Sequence, residues 1–188
     1  MRISGGRARG IPLKVPRGGD VRPAMDKLRQ GLFSSLGERV VGARFLDFFA
    51  GTGSYGLEAL SRGAAGGYFI ERDRAAVVAV KENLAAVARS AGIDPKVAKV
   101  VGADAMTWMP PSDTVFDLIF VDPPFDDITG VSESLFRRFS GFVSSAPHAL
   151  LVFEMPGELE LPSPGWRFLK RIGRGRDQPT CCLYAAEA

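Results

Sequence analysis

Short apolar segments alternate with helical segments along most of this chain, and this alternation restricts its possible folds more than any other feature. Strands are predicted at residues 45–49, 67–71, 97–101, 116–121 and 149–154, with a closing pair at 166–172 and 181–185. Helices are predicted at residues 25–37, 54–62, 74–91 and 132–142. Apolar strands separated by helices predict an α/β fold, doubly wound and Rossmann-like, whose mainly parallel sheet is covered on both faces.

The 188 residues predict a single domain, 1–188, because two full domains would need a longer chain. Residues 1–37 form a basic extension, predicted as a hairpin and a helix, and residues 38–188 form the core. No run approaches the roughly 20 apolar residues that cross a bilayer, and the first residues lack a secretory signal. We therefore expect a cytoplasmic protein, without a membrane partner, that is a monomer. The two cysteines, Cys181 and Cys182, are adjacent, so we expect no disulfide framework. With a single histidine, His148, they also predict no metal site.

Charge is distributed unevenly along the chain. Residues 1–30 carry a net charge of +6, residues 31–166 carry −6 and residues 167–188 carry +3. If the two basic ends meet on one face, they form a footprint for a polyanion; otherwise they are solvated ends. Glycine-rich backbone around several arginines favours phosphate contact. The candidate RNA-contacting residues are Arg2, Arg7, Arg9, Arg22, Arg174 and Arg176.

A glycine-rich loop follows the first predicted strand. Gly51, Gly53 and Gly56 spell G-x-G-x-x-G, and Glu71 ends the next strand, at the spacing typical of dinucleotide-binding proteins. Asp47 argues against a dinucleotide, because a carboxylate at this strand end would repel a diphosphate. The same carboxylate would attract a cofactor with a positive sulfonium and an amino group. The pattern Asp-x-x-Ala-Gly-x-Gly is typical of loops that bind S-adenosylmethionine.

Further positions fit one adenosyl ligand. The loop residues Ala50, Gly51, Thr52 and Gly53 would bring backbone close to the cofactor, and Glu71 would accept hydrogen bonds from both ribose hydroxyls. Asp104, after the third strand, would accept a hydrogen bond from the adenine amine, and Ala105 would offer a backbone amide. Alternatively, Asp47 caps a turn and Asp104 caps a helix, and neither contacts a ligand.

The fourth predicted strand ends in Asp122-Pro123-Pro124-Phe125. Two prolines fix the backbone and remove two N–H donors, so the turn can aim the Asp122 carboxylate and the Pro124 carbonyl at one planar amine. Phe125 can stack on the ring that carries this amine. Such a turn is typical of methyltransferases acting on exocyclic amines of bases, and these four residues are the candidate catalytic residues. A structural Pro-Pro turn with Phe125 in the core is the alternative.

Several motifs together resemble those of the bacterial small-subunit (16S) ribosomal RNA guanine-N2 methyltransferases of the RsmD type. They are Arg2-Ile3-Ser4-Gly5-Gly6, Arg22-Pro23-x-x-Asp26-x-x-Arg29, the segment 47–63 and Asp122-Pro123-Pro124-Phe125. The resemblance implies a seven-stranded fold with an N-terminal hairpin extension. It also implies S-adenosylmethionine as methyl donor, the N2 amine of one guanine as acceptor, and ribosomal RNA or a small-subunit assembly particle as partner.

Three other functions remain open. An adenine-N6 methyltransferase acting on RNA or DNA would use the same Asp122 turn. A non-catalytic RNA-binding protein could retain the fold, although the intact turn argues against it. An NAD-dependent oxidoreductase would need a catalytic Tyr/Lys pair or a His, and the lone His148 lies outside the strand-end cluster.

Overall fold

A computed structural model of the chain describes residues 1–16, 23–124, 128–143, 149–176 and 178–187. The helices are α1 (Pro23–Leu36), α2 (Ser54–Ser61), α3 (Arg74–Ala91) and α4 (Ile128–Phe139), with 3₁₀ turns at Gly37–Val40 and Pro95–Val97. The strands are β1 (Arg44–Phe48), β2 (Gly66–Glu71), β3 (Ala98–Gly102), β4 (Leu118–Val121), β5 (Leu150–Pro156), β6 (Trp166–Ile172) and β7 (Pro179–Ala186).

The strands form one seven-stranded sheet in the order β3-β2-β1-β4-β5-β7-β6. The first five of these are parallel neighbours, whereas β7 is antiparallel to both β5 and β6. The chain moves outward in one direction from β1 to β3 and in the other from β4 onward. This reversal between β1 and β4 is the point at which doubly wound sheets bind ligands. The predicted α/β, mainly parallel sheet is confirmed.

Alternate residues of each strand face opposite layers, as strand geometry requires. In β1, Phe45 packs into a core beneath α1, α2 and α3, and Leu46 and Phe48 pack into a second core beneath α4. Asp47 therefore faces the same layer as Phe45, toward α2. This alternation decides which helix can reach the Asp47 carboxylate.

Residues 1–13 form a hairpin that packs against α2. The Ile3 N–H donates to the Ile11 carbonyl over 2.9 Å, and the Arg7 N–H donates to the Ser61 carbonyl over 2.7 Å. The Glu58 carboxylate, which is fully buried, accepts hydrogen bonds from the Ser4 backbone N–H and hydroxyl. Because α2 begins at the loop after β1 and ends near Ser61, the hairpin tip lies at the edge of the sheet where the parallel strands begin.

Buried ion pairs join the hairpin to α1 and α2. Arg29 is 1% exposed; it pairs with Asp26 over 2.9 Å and with Glu58 over 3.3 Å, and it donates to the Arg2 carbonyl. Arg62 pairs with the other Glu58 oxygen over 2.8 Å. Removing one partner from such a cluster would leave an uncompensated buried charge, at a cost of about 3–5 kcal/mol. The Arg2 to Gly6 and Asp26 to Arg29 motifs thus fix the extension on the core.

Most predicted boundaries differ from the structure by one to four residues, and two of these differences have a clear cause in the packing. The helix predicted at 132–142 is α4, which begins at Ile128 because Ile128 is buried in the core despite Gly130, a residue that disfavours helix. The strand predicted from Phe116 begins at Leu118, and Phe116 makes only an isolated bridge to Val143. Among the described residues, no helix is both long and apolar enough to cross a membrane.

Candidate active site

A cavity of about 630 Å³ opens at the carboxyl edge of the parallel strands, over the reversal between β1 and β4. A second cavity of about 240 Å³ adjoins it, and Met25, Phe49, Gly51 and Asp122 line both. Most predicted site residues meet here. The larger cavity is lined by Gly51, Glu71, Asp104, Ala105, Asp122, Pro123 and Pro124, and the smaller one by Asp47, Ala50, Gly51, Thr52 and Asp122.

The glycine loop is a tight turn with left-handed backbone at Phe49 (φ 65°), Gly51 (φ 53°) and Gly53 (φ 76°). A Cβ on Gly51 would meet no atom within 4 Å, so its backbone is open toward the cavities. Gly53 lines neither cavity in the described structure, and a Cβ there would lie 3.1 Å from Val80. Gly51 therefore exposes backbone, whereas Gly53 lets α2 begin close to α3.

Phe49 was not among the residues singled out from the sequence. A positive φ is rare for a bulky residue and is found where surrounding structure compensates the strain, commonly at functional sites. The Phe49 ring packs edge-on against Phe48, with centroids 5.4 Å apart, and lines both cavities. No sequence signal separates Phe49 from an ordinary strand residue, because the strain arises from the loop closure.

Glu71 joins the end of β2 to the glycine loop. Its Oε2 accepts from the Gly51 N–H over 2.8 Å, and its Oε1 accepts from the Asp73 N–H over 2.8 Å. Each carboxylate oxygen has a further lone pair, and Glu71 lines the larger cavity. One side chain can therefore hold the loop and still accept hydrogen bonds from a ligand.

Asp47 is 2% exposed and accepts a hydrogen bond from the Gly56 N–H over 2.9 Å. The pKa of Asp47 is raised to about 8: burial is the largest cause, the Gly56 hydrogen bond opposes it, and the charge of Glu71 acts in the same direction as burial. In the described part of the chain, no salt bridge compensates this carboxyl. A cation entering the smaller cavity would favour the charged form of Asp47.

The segment after β3 is a turn that Asp104 stabilises through its side chain and its backbone carbonyl. The Asp104 carboxylate accepts from the Met106 N–H over 2.8 Å, and the Asp104 carbonyl accepts from the Trp108 N–H over 2.9 Å. Asp104 thus caps a turn here, in place of the helix that was the alternative from sequence. The Asp104 carboxylate accepts one backbone hydrogen bond, so its other lone pairs remain available to a ligand.

Arg138 of α4 binds the same segment from below and was not identified from the sequence. Its Nη1 donates to the carbonyls of Ala105 and Met106, each over 2.7 Å, and its Nη2 donates to the Trp108 carbonyl. The guanidinium also lies over the Phe48 ring, 5.7 Å from its centroid. Because Arg138 lies more than thirty residues from Ala105 in sequence, only the folded chain reveals this contact.

Asp122 follows β4 and lines both cavities, with Pro123 buried and Pro124 exposed. Burial raises the pKa of Asp122 well above its usual range, and the nearby charges of Glu154 and Asp47 raise it further. Glu154, another residue not identified from the sequence, is 4% exposed and lines the larger cavity. It accepts a hydrogen bond from the Tyr55 hydroxyl. Phe125 and Arg22 lie outside the described residues, as does His148.

The predicted RNA-contacting arginines do not form one local patch. Arg7 and Arg9 lie at the hairpin tip beside Ser61, at the edge where the parallel strands begin. Arg174 and Arg176 lie in the turn between β6 and β7, at the cavity edge next to Pro179. Their side chains and that of Arg2 are exposed. A polyanion touching both pairs would have to extend along the molecule.

Comparison with known proteins gives consistent matches. Residues 1–184 match the family described as conserved hypothetical protein 95. The chain is 40% identical to ribosomal RNA small subunit methyltransferase D of Escherichia coli, over 100% of this chain and 91% of that protein. The solved structure of Escherichia coli yhhF, assigned as a methyltransferase, has a TM-score of 0.80 and 36% identity, covering 100% and 98% of the two chains. The fold also matches that of SMU.776, solved with SAH, with a TM-score of 0.68 and 12% identity over 88% of this chain and 50% of that one.

Proposed function

Because the chain belongs to the family described as conserved hypothetical protein 95, and is related over its whole length to a ribosomal RNA small subunit methyltransferase, we propose that it has the same activity. It transfers a methyl group from S-adenosylmethionine to the N2 amine of a guanine in small-subunit ribosomal RNA. The observation that carries the proposal is that Asp47, Glu71 and Asp122 open onto adjoining cavities at the switch point of the sheet.

The residues of these cavities fit S-adenosylmethionine. When bound, this cofactor supplies an electrophilic methyl group on a positively charged sulfur. Asp47 supplies a buried carboxyl that has no salt bridge within the described residues, which suits a cationic ligand. Glu71 and the open backbone of Gly51 serve the ribose and amino-acid portions, together with Ala50 and Thr52, whereas Gly53 supports the loop from behind by letting α2 begin close to α3. Asp104 and Ala105 serve the adenine.

The Asp122 turn holds the acceptor. The amine of guanine is a poor nucleophile because its lone pair is delocalised into the ring. The Asp122 carboxyl and the Pro124 carbonyl, aimed by the fixed backbone of Pro123 and Pro124, hold the amine protons and favour a localised lone pair. Phe125 provides the stacking surface for the base. Catalysis then consists of positioning and electrostatic stabilisation, without a covalent enzyme intermediate.

Ribosomal RNA, free or in a small-subunit assembly particle, reaches the site along the cavity edge. Arg174 and Arg176 lie closest to this path, whereas Arg2, Arg7 and Arg9 extend the contact along the hairpin; Arg22 belongs to the same set. The whole chain, 1–188, acts as one domain and as a cytoplasmic monomer, with residues 1–37 forming the RNA-contacting extension.

Methyl transfer from tritiated S-adenosylmethionine to naked small-subunit RNA and to small-subunit particles tests the proposal. Digestion to nucleosides should give N2-methylguanosine, and N6-methyladenosine would contradict the guanine assignment. In a single turnover at saturating cofactor, Asp122→Ala should be slower by on the order of 100-fold or more, by analogy with the loss of an oxyanion-hole donor. Its thermal melting and SAH affinity should remain close to wild type.

Two further variants make this test specific. Asp122→Asn retains an acceptor oxygen and should recover part of the lost rate, whereas the exposed Glu160→Ala should behave as wild type. If Asp122→Ala melts early and loses SAH binding, the turn is structural and the assigned role in amine activation is wrong.

A further inference from the structure

Asp122 and Glu154 occupy neighbouring positions at the ends of two adjacent strands. Strands β4 and β5 are parallel and pair Val121 with Phe153, so the next residue of each strand is Asp122 and Glu154. Equivalent positions in paired parallel strands point to the same face. Both side chains line the larger cavity, so the register places two carboxyl groups together at its floor.

Different elements surround the two carboxyls unequally. Glu154 accepts from the Tyr55 hydroxyl on α2, and the positive charge of Arg29 on α1 favours its ionised form. Cys181 of β7 lies 3.5 Å from the same hydroxyl. Asp122 faces the charges of Glu154 and of Asp47 on β1, and in the described part of the chain no side chain is seen donating to it. A negative charge is therefore better held on Glu154 than on Asp122.

Two carboxyls at such neighbouring positions, Glu154 buried and Asp122 half-buried, titrate as a pair, because both cannot readily be ionised. Burial raises the pKa of each group, and for Asp122 the nearby charge of Glu154 is the next largest cause. A pair that shares one proton carries its negative charge on Glu154, the carboxyl that Tyr55 and Arg29 stabilise.

We propose that Glu154 is a positioning residue for methyl transfer, which receives through Asp122 the proton that the guanine amine must release. This inference rests on the function proposed above. Since methylation of a neutral amine creates one surplus proton, the site needs an acceptor, and an Asp122 that is already protonated cannot take up another by itself.

The N2 lone pair forms the N–C bond with the methyl carbon, and the C–S bond breaks with its electrons going to sulfur, which becomes neutral. One N2 proton moves to the free oxygen of Asp122, while the proton of Asp122 moves to the Glu154 carboxylate. The pair ends with two protons and no charge, and it returns one proton to solvent after product leaves.

The pH dependence of the single-turnover rate separates this relay from the simpler case in which Asp122 accepts the proton alone. In the relay, the pair must carry one charge, which Glu154 holds with help from Tyr55 and Arg29. In Glu154→Gln the negative charge must lie on Asp122, which neither Tyr55 nor Arg29 stabilises. The acidic inflection of the rate profile should therefore move to higher pH. If Asp122 acts alone, the same variant removes a repulsive charge, and the inflection should move to lower pH.

We expect Glu154→Gln to lower the plateau rate by about tenfold or more, a fraction of what general acid–base catalysis contributes, with SAH affinity within about twofold of wild type. Tyr55→Phe keeps the stacking on Phe120 at 5.5 Å and removes only the hydroxyl donor. It should move the inflection in the same direction by a smaller amount. Glu160→Gln, an exposed glutamate, is the matched control and should leave the profile unchanged.

An inflection that stays in place or moves to lower pH in Glu154→Gln overturns the relay, as does an unchanged plateau rate. If Glu154→Gln does not fold, the Tyr55→Phe profile decides in the same way. Failure of the proposed function would look different, because wild-type protein would then transfer no methyl group to guanine under any condition.

Discussion

Asp47 is a residue of this site whose buried carboxyl no salt bridge compensates within the described residues. It lies beneath α2 with one hydrogen bond from the Gly56 N–H, and burial raises its pKa to about 8. Such a carboxyl costs stability when ionised in the free protein and favours a cationic ligand in return. The ligand-free protein therefore bears a penalty that a cationic ligand would relieve.

The free energy of unfolding should record this penalty. The pKa of Asp47 is about 8 in the folded protein against an ordinary value of 3.8, so between these values the folded state binds the additional proton. The contribution of Asp47 is thus fully present below the lower value and is lost as the pH rises through about 8. In ligand-free protein, wild type should lose stability with rising pH more steeply than Asp47→Asn. Urea denaturation from about pH 5 to about pH 9 measures the difference, and parallel curves would contradict the argument.

Glu71 serves both the loop and the ligand, so its removal should be costly. Glu71→Ala loses the acceptors for the Gly51 and Asp73 N–H groups as well as those proposed for the ribose. Hydrogen bonds to a charged acceptor contribute about 1.5–3 kcal/mol each, so SAH affinity should fall at least about tenfold. Calorimetry measures this, with Glu82→Ala on the exposed face of α3 as control. An unchanged dissociation constant would leave Glu71 with a purely structural role.

Among the elements, α4 has a role that the sequence did not predict, because its Arg138 holds the segment after β3. The Arg138 guanidinium donates hydrogen bonds to the carbonyls of Ala105, Met106 and Trp108. It is packed between the rings of Phe48 and Phe142. The turn that carries Asp104 is therefore tied to α4 through three backbone carbonyls.

Arg138→Met should loosen this turn and weaken SAH binding, because the adenine would meet a segment that is no longer preorganised. We expect about a tenfold loss of affinity, since an ordered segment must otherwise be formed on binding. The neighbouring Arg137→Met is the matched control, because Arg137 is exposed and, among the described residues, pairs with Glu133 on the same helix, over 2.8 Å. Equal affinities for the two variants, measured by calorimetry, would show that the turn is held without Arg138.

For the whole molecule, the two basic ends lie at opposite edges of the sheet. Arg174 and Arg176 adjoin the cavity, and Arg7 and Arg9 lie at the far end of the hairpin, beside Ser61. Between them lie the buried ion pairs around Glu58, which hold the extension against α2. RNA contact is therefore expected to be spread along one side of the molecule and not concentrated at the cavity.

Replacing Arg174 and Arg176 by Gln should reduce the salt dependence of RNA binding, and replacing Arg7 and Arg9 should do the same independently. Each lost phosphate contact lowers the log–log slope by about 0.9 on a duplex and by about 0.7 on a single strand. Because the pairs are far apart, their effects should add in the quadruple variant. Affinity for SAH should not change. An unaltered slope in the quadruple variant would mean that the basic ends are only solvated.

Local patterns in the sequence were enough to predict the order of the elements and the strand ends on which most of the site lies. Short apolar segments and helical apolar patterns depend on neighbours a few residues away, so β1 with Asp47 and β4 with Asp122 could be predicted. The glycine loop and the Pro-Pro turn were also visible, because their conformations follow from the residues themselves. Phe125 and Arg22 remain predictions.

The contacts that hold these parts, and the charges they carry, could be seen only in the folded chain. The left-handed Phe49, the Arg138 contacts and the Glu154–Tyr55 hydrogen bond join residues that the chain brings together only by folding. The pKa of Asp47 likewise depends on burial, which no local pattern specifies. Patterns in sequence record what a residue prefers locally, whereas desolvation and long-range contacts depend on which other elements pack against it.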